Sequence, residues 1–192
     1  MSMIVHAGGK FLGRQELPGL PYEPSTSASH VTIPHHEFLT KVLESLALRG
    51  IEPVKEQYAV ARDAKHFFGM LTLNIEREGR ALVLGVRNSH DKMFRASMVA
   101  GFRVFICDNL AFSGDFFPMA VKHSKHFLVG LTDAIDLGVT RVQREFTEIN
   151  RRITGWQRFS LSDADAKLFV YRCFVSGELD ATPRLAPKVH QY

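Results

Sequence analysis

Apolar residues along this chain change their spacing twice, which divides it into a helix, a run of strands and a helical second half. Phe38, Val42, Leu46 and Ala47 recur at helical spacing between Pro34, a good first helical residue, and a stop at Gly50, so residues 34–49 are predicted to be a helix. Beyond Gly50 the period falls to two. Val54, Glu56, Tyr58 and Val60 alternate with polar or small residues, Phe67, Leu71, Leu73 and Ile75 do likewise, and Glu76 to Arg80 reads as a hairpin turn. Leu82, Leu84 and Val86 mark the next strand, and residues 98–107 the last. The pattern predicts a four-stranded antiparallel meander, with a short fifth piece around Leu110 to Phe112.

The second half turns helical. From Pro118 onward, Leu128, Leu131, Ile135, Val139, Val142, Phe146, Ile149, Ile153 and Trp156 follow steps of three and four, with Gly155 as the closing cap. One helix of nearly forty residues would span ~55 Å. A break at Gly130 or Gly138 is the competing reading. Such a stripe either covers a sheet or continues into a partner subunit as a seam. Ser160 or Ser162 caps a last helix through Leu168, Phe169 and Cys173. Residues 1–30, with Gly8-Gly9, three prolines and a small polar run, read as an extended arm or loop lying on the body through Phe11, Leu17, Leu20 and Tyr22. Residues 31–178 form a single α+β domain in this reading, and 179–192 a C-terminal tail. The expected fold class is α+β: an N-terminal helix, a four-stranded antiparallel meander and a long C-terminal helix packed on the sheet.

Composition narrows this picture modestly. In 192 residues, 45% hydrophobic and 23% charged, there is enough apolar material for a substantial core, which excludes wholesale disorder. A net charge of +4 permits a nucleic-acid partner without requiring one. Cys107 and Cys173 sit in apolar runs without metal or redox spacing and read as buried thiols of a reducing compartment. The first ten residues lack the basic and apolar regions of a signal peptide, and no apolar run reaches membrane-spanning length, so the expected location is the cytoplasm.

No phosphate loop, GxGxxG, GxSxG, HExxH or CxxC occurs, so candidate chemistry rests on polar groups set against the apolar background of residues 85–115. Gly85-Val86-Arg87 and Gly101-Phe102-Arg103 repeat one pattern. In a strand each glycine shares a face with its arginine, leaving room for a ligand beside a forked, permanently charged donor. The connecting loop adds Asn88, Ser89, His90, Asp91, Lys92 and Arg95. An anion such as phosphate is the natural guest; the bland alternative is that Arg87 and Arg103 pair with Asp91, Asp108 or Asp63 and hold the loop.

Other charged groups carry weaker signals. Arg141, Arg144, Arg151, Arg152 and Arg158 read as the solvated face of a helix, screened by Glu145 and Glu148, and Lys122, His123, Lys125 and His126 fall just inside the start of the expected long helix. Among nine histidines, His35 and His36 point in different directions, and His123 and His126 share a helix face without a third ligand. His90 and Asp91 with Asp108, Asn109 and Asp115 make the better candidate for a hard cation. Cys107 reads as buried rather than nucleophilic, and adjacent Ser89 and His90 rarely aim at each other.

The run Arg87-Asn88-Ser89-His90-Asp91, followed by Gly101-Phe102-Arg103-Val104-Phe105-Ile106-Cys107-Asp108-Asn109-Leu110, resembles the central signature of an uncharacterised family of phage- and plasmid-related proteins known only as a domain of unknown function. The likeness is specific over about residues 82–115, looser across the long helix and slight over 1–30. It implies a bacterial mobile-element context and no assigned reaction. It also implies a further aromatic-rich segment, so a chain stopping at His190-Gln191-Tyr192 is expected to be a shortened member. More weakly, a helix, an antiparallel meander and a long helix in that order is similar to the core of Rad52-type single-strand annealing proteins, a likeness of fold alone.

Two functional classes follow. The first is a non-enzymatic, oligomeric nucleic-acid-binding protein without a cofactor, its partner a nucleic acid, with single-stranded DNA one candidate and DNA against RNA left open: Arg87, Lys92, Arg95 and Arg103 contact phosphates and Phe94 offers a stacking face. The second is a metal-assisted hydrolase or nuclease, in which His90, Asp91, Asp108 and Asp115 gather an ion. A metal site needs at least three of those side chains to converge; a binding groove needs exposed cations along a channel.

Overall fold

The structure, a computed structural model, describes residues 2–5, 8–25, 27, 29–77, 80–102, 104–107 and 112–174. It divides into two compact units, Met1–Glu148 and Ile149–Tyr192. The first is a mixed α/β unit built on a six-stranded antiparallel sheet.

The chain opens with strands β1 (Ser2–Ile4) and β2 (Lys10–Leu12) and a 3-10 turn over Arg14–Gly19, so residues 1–30, expected as an arm or loop, contribute regular structure. Helix α1 spans His35–Ala47. It ends where the sequence requires: Gly50 has φ +66°, its N–H donates to Ala47 O, and Ile51 N–H donates to Leu46 O, a Schellman stop. Strands β3 (Pro53–Ala61), β4 (His66–Arg77), β5 (Arg80–Ser89) and β6 (Ala96–Gly101) form the expected meander, but it is the inner part of a larger sheet. The sheet order is β2-β3-β4-β5-β6-β9, with β9 at Phe116–Val121.

Two expectations fail here for related reasons. The strand expected over 98–107 stops at Gly101, and Phe105–Cys107 becomes β7 of a second, three-stranded sheet, parallel to β1 and antiparallel to β8 (Phe112–Ser113). The long helix does not begin near Pro118, which lies inside β9; α2 spans Phe127–Trp156, thirty residues. Sheet-edge strands tolerate proline, and β9 is an edge. Neither glycine breaks α2. At Gly138 a Cβ would lie 2.4 Å from Met98 Cε, so the residue marks close approach of helix to sheet.

Both faces of the sheet are covered, which explains why Leu82, Val83, Leu84 and Val86 are all buried rather than alternating in and out. Leu82, Leu84, Val86 and Met98 pack with Phe38, Val42 and Leu46 of α1 and with Leu131, Ile135, Val139, Val142 and Phe146 of α2. Val83 and Val99 pack with Met3, Val104, Ile106 and Phe112 of the small-sheet layer. Arg49 ties the two helices, donating to Ser45 O at 2.9 Å and to Asp136 Oδ1 at 3.2 Å. In the second unit, α3 spans Asp163–Phe174, and Ser162 Oγ accepts from Asp165 N–H at 3.2 Å as its N-cap. Trp156, Phe159 and Phe169 are exposed there. Among the described residues no helix is long and apolar enough to cross a membrane.

Candidate functional site

Antiparallel register brings distant segments to one end of the large sheet. His66 pairs with Ser89, Arg87 with Ser97, and Ala96 with Val121, so the β3–β4 turn, the β5–β6 loop and the β9–α2 connection all meet there. Residues 29–35, leading into α1, reach the same place.

Five histidines organise this end. Carbonyl oxygens only accept, so each ring nitrogen facing one must donate. His35 Nε2–H donates to Ala64 O at 2.7 Å, and its Nδ1 accepts from the Asn88 amide at 3.0 Å, which fixes a neutral ring. The same amide donates to Ile33 O at 3.0 Å. His90 stacks on His35 with ring centres 3.9 Å apart and donates to Ile33 O at 3.0 Å. His123 Nδ1–H donates to Val31 O at 3.1 Å. His30 faces His123 O and His90 O, each 3.2 Å away, through its two ring nitrogens. His66 Nε2–H donates to Asp91 Oδ2 at 2.8 Å.

Burial, with neighbouring imidazoles, pushes the His35 pKa down to about 3 and that of His123 down to about 4, and burial lowers that of His90. These rings are uncharged polar clasps near neutral pH. They hold a costly turn: Arg62, Asp63 and Ala64 all have positive φ, a conformation that costs roughly 1–2 kcal/mol per non-glycine residue. Ala64 O binds His35, and Lys65 O accepts His90 N–H at 2.9 Å.

Beside the clasp lies a cavity of about 460 Å³ lined by Ser29, His30, Lys92, Met93, Phe94, Arg95, Lys122 and His123. Three cations meet there, and no carboxylate among the described residues lines it. Asp91, next in sequence to Lys92, instead accepts from His66 and from Met93 N–H, shaping the loop. His123 is 4% exposed, and its Nε2 has no hydrogen-bond partner among the described residues. An acceptor left this way costs about 1–3 kcal/mol.

The expected site residues separate into groups. Lys92, Phe94 and Arg95 come together at the cavity. Arg87 stands outside its lining, its guanidinium carbon 4.9 Å from the Phe94 ring centre and 4.5 Å from that of Phe112, with burial lowering its pKa. Gly85 makes no room for a ligand: a Cβ there would meet Val99 at 2.7 Å and Ile106 at 2.9 Å, so the missing side chain admits the small-sheet layer. Arg103, Asp108 and Asn109 lie outside the described residues.

Asp91 and Asp115 do not converge. Asp115 accepts from Phe102 N–H at 2.7 Å and packs over Gly101, which pairs with Val83. Ser89, just before the His90–Asp91 loop, is six residues further along β5, ~20 Å at the strand rise. His90 is engaged by Ile33 and His35 instead. Among the described residues no group of three or more His, Cys, Asp or Glu is placed to hold a metal.

Sequence reasoning missed His30, His35, His66 and Lys122 as parts of this site and put His123 on a helix. Residues 122–126 precede α2 and form its connection to β9. Spacing offered no signal for them, because residues 30, 35, 66, 90 and 123 meet only through the tertiary fold, where the entry to α1 and three connections gather at one end of the sheet.

The chain belongs to the family described as Domain of unknown function (DUF932), whose model matches residues 25–190. No curated protein and no solved structure matches it.

Proposed function

We propose that this DUF932 chain is a cytoplasmic, non-enzymatic nucleic-acid-binding protein of a phage- or plasmid-related element, and that its phosphate contacts are made in the cavity at the histidine-clasped end of the sheet. One observation carries the reading: Lys92, Arg95 and Lys122, from two connections far apart in sequence, line one concavity with no carboxylate among its described lining residues. Converging cations suit phosphate, and Phe94, which also lines the cavity, offers an aromatic face to a base. Exposed Trp156, Phe159 and Phe169 give the second unit an apolar surface suited to a second copy of the chain. Phe159→Asp should then lower the oligomer mass in sedimentation; a wild-type monomer at high concentration would remove that part of the proposal.

The test of binding is fluorescence anisotropy with a labelled single-stranded oligonucleotide at low salt. Binding should weaken by about 100-fold when Lys92, Arg95 and Lys122 are all changed to Gln, on the order expected for losing several phosphate contacts. All three are exposed, so the variant should keep the wild-type circular dichroism. Absence of binding at low salt would refute the proposal.

A further inference from the structure

We infer that Arg87 forms a second anion site, separate from the cavity, which takes the oxyanion group of a small ligand, a phosphate or a carboxylate, across the outer edge of its guanidinium. The inference goes beyond the nucleic-acid reading above and does not depend on it.

The position follows from strand geometry. Val83, Gly85 and Arg87 share one face of β5, because side chains alternate along a strand. Val83 and Gly85 are buried beneath the small-sheet layer, Gly85 lying under Val104 and Ile106. Arg87, two residues on, is only half-buried. Register sets Phe68 of β4 and Ser97 of β6 on either side of it. The rings of Phe94 and Phe112 close over the guanidinium, their centres 4.9 and 4.5 Å from its carbon. Phe94 comes from the β5–β6 loop and Phe112 from β8, so two separate segments hold one cation.

What this cation lacks is a partner. Among the described residues no carboxylate pairs with Arg87, its Nε is buried without a hydrogen-bond acceptor, and burial lowers its pKa with nothing opposing the shift. Asp91 is engaged by His66 and by Met93 N–H, and Asp115 by Phe102 N–H. Nη1 and Nη2 have no partner among the described residues either, and unlike Nε they are not buried. Arginine keeps its charge throughout the working pH range, and a desolvated charge left alone is destabilising. Two rings that needed only a packing partner would be as well served by methionine.

The free edge defines the guest. Nη1 and Nη2 donate side by side in one plane, an arrangement that the paired oxygens of a carboxylate or a phosphate accept in parallel. The two rings fix that plane and shield its faces from water, so an anion at the edge gains more from the charge than it would at a fully exposed arginine. A neutral acceptor could meet the same N–H groups but would leave the charge uncompensated. Arg87 stands outside the cavity lining and adjoins it through Phe94. The anion at Arg87 is therefore not the one held by Lys92, Arg95 and Lys122.

The experiment follows the Arg87 Nε–H resonance of the full chain at pH 7, where burial slows its exchange with water; its loss in Arg87→Met identifies it. Inorganic phosphate and sodium acetate are titrated separately against sodium chloride at constant ionic strength. At least one of them should shift the resonance to saturation, with a midpoint of about 1–10 mM, as expected for a single bidentate contact. The ratio of the two midpoints tells phosphate from carboxylate. The response should persist when Lys92, Arg95 and Lys122 are all changed to Gln. The same anion should raise the urea midpoint of the wild type but not that of Arg87→Met. In chloride alone Arg87→Met should unfold at a urea concentration no lower than the wild type, because it removes an unpaired charge. A shift that only drifts linearly with both anions up to about 50 mM overturns the inference. So does an Arg87→Met protein that unfolds at lower urea in chloride, which makes Arg87 a packing group. A response lost with the three cavity cations overturns the separate site and assigns the anion to the cavity. No oligonucleotide enters the test, so its outcome is distinct from that of the nucleic-acid reading.

Discussion

The chain carries two concentrations of positive charge that are made in opposite ways. Arg141, Arg144, Arg151, Arg152 and Arg158 are close in sequence and interleaved with Glu145 and Glu148. Lys92, Arg95 and Lys122 are scattered over thirty residues, and the sheet brings them to one cavity. In the first group Arg144 is exposed and bonds Glu145 at 2.9 Å, Arg141 reaches Pro118 O at 3.5 Å, and Arg151 and Arg152 also have partners. Density along a sequence spreads charge around a helix, because successive residues turn by about 100°. Density in space needs loops at one end of a sheet. The comparison teaches that the dispersed group is the better candidate for binding, although the contiguous one is easier to see.

The largest expected difference appears with pH, because the cavity end is clasped by neutral imidazoles and the arginine face is not. His35, at about 3, and His123, at about 4, lie well below the ordinary histidine value of about 6.5. Between those limits the unfolded chain binds more protons than the folded one. Stability should therefore be level above about pH 6.5 and fall as pH drops toward 4, by on the order of several kcal/mol. Urea unfolding midpoints from pH 7.5 to 4.5 measure this; a midpoint that held constant down to pH 5 would contradict the neutral clasp.

Single truncations at pH 7.5 give the next contrast. His35→Ala removes the ring that donates to Ala64 O, accepts from Asn88 and stacks on His90, at a cost of about 2–4 kcal/mol. Arg144→Ala, at a side chain 70% exposed, should stay within about 0.5 kcal/mol of wild type. Denaturant titration of both proteins compares them directly. If Arg144→Ala proved the more damaging, the helix face would be structural in a way its exposure does not suggest.

Much of the fold was legible and much of the site was not. Helix α1, its stop at Gly50, the β4–β5 hairpin and the stripe from Leu131 to Phe146 follow from local periodicity, which chain geometry enforces within a few residues. Strand β9 was hidden because Pro118 and the helical spacing after it suggested that the long helix had already begun. The break after Gly101 was hidden because Val104 and Ile106 are as apolar in a covering sheet as in a continuing strand. Lys92, Phe94 and Arg95 were expected together because they share one polar loop, and they line one cavity. His30, His35 and Lys122 were not, since their meeting depends on the tertiary fold, which leaves no trace in spacing. Arg87 was chosen because it stands beside a glycine, but that glycine is filled by packing and the guanidinium lies over two aromatic rings outside the cavity lining.

The smallest expected effect is on binding by the contiguous arginines. Changing Arg141 and Arg144 together to Gln should alter affinity for a single-stranded oligonucleotide by less than about threefold, since exposed charges well along α2 from the cavity are largely screened. A larger loss would move the interface to the helix.

The salt dependence of that same binding tests the central claim most directly. For a cavity that neutralises three phosphate charges, log K should fall against log salt with a slope near −2, at about 0.7 per contact on single strands. Neutralising Lys92, Arg95 and Lys122 should flatten the slope almost to zero, and neutralising the helix arginines should leave it unchanged; a slope that survived loss of the three cavity cations would contradict the assignment.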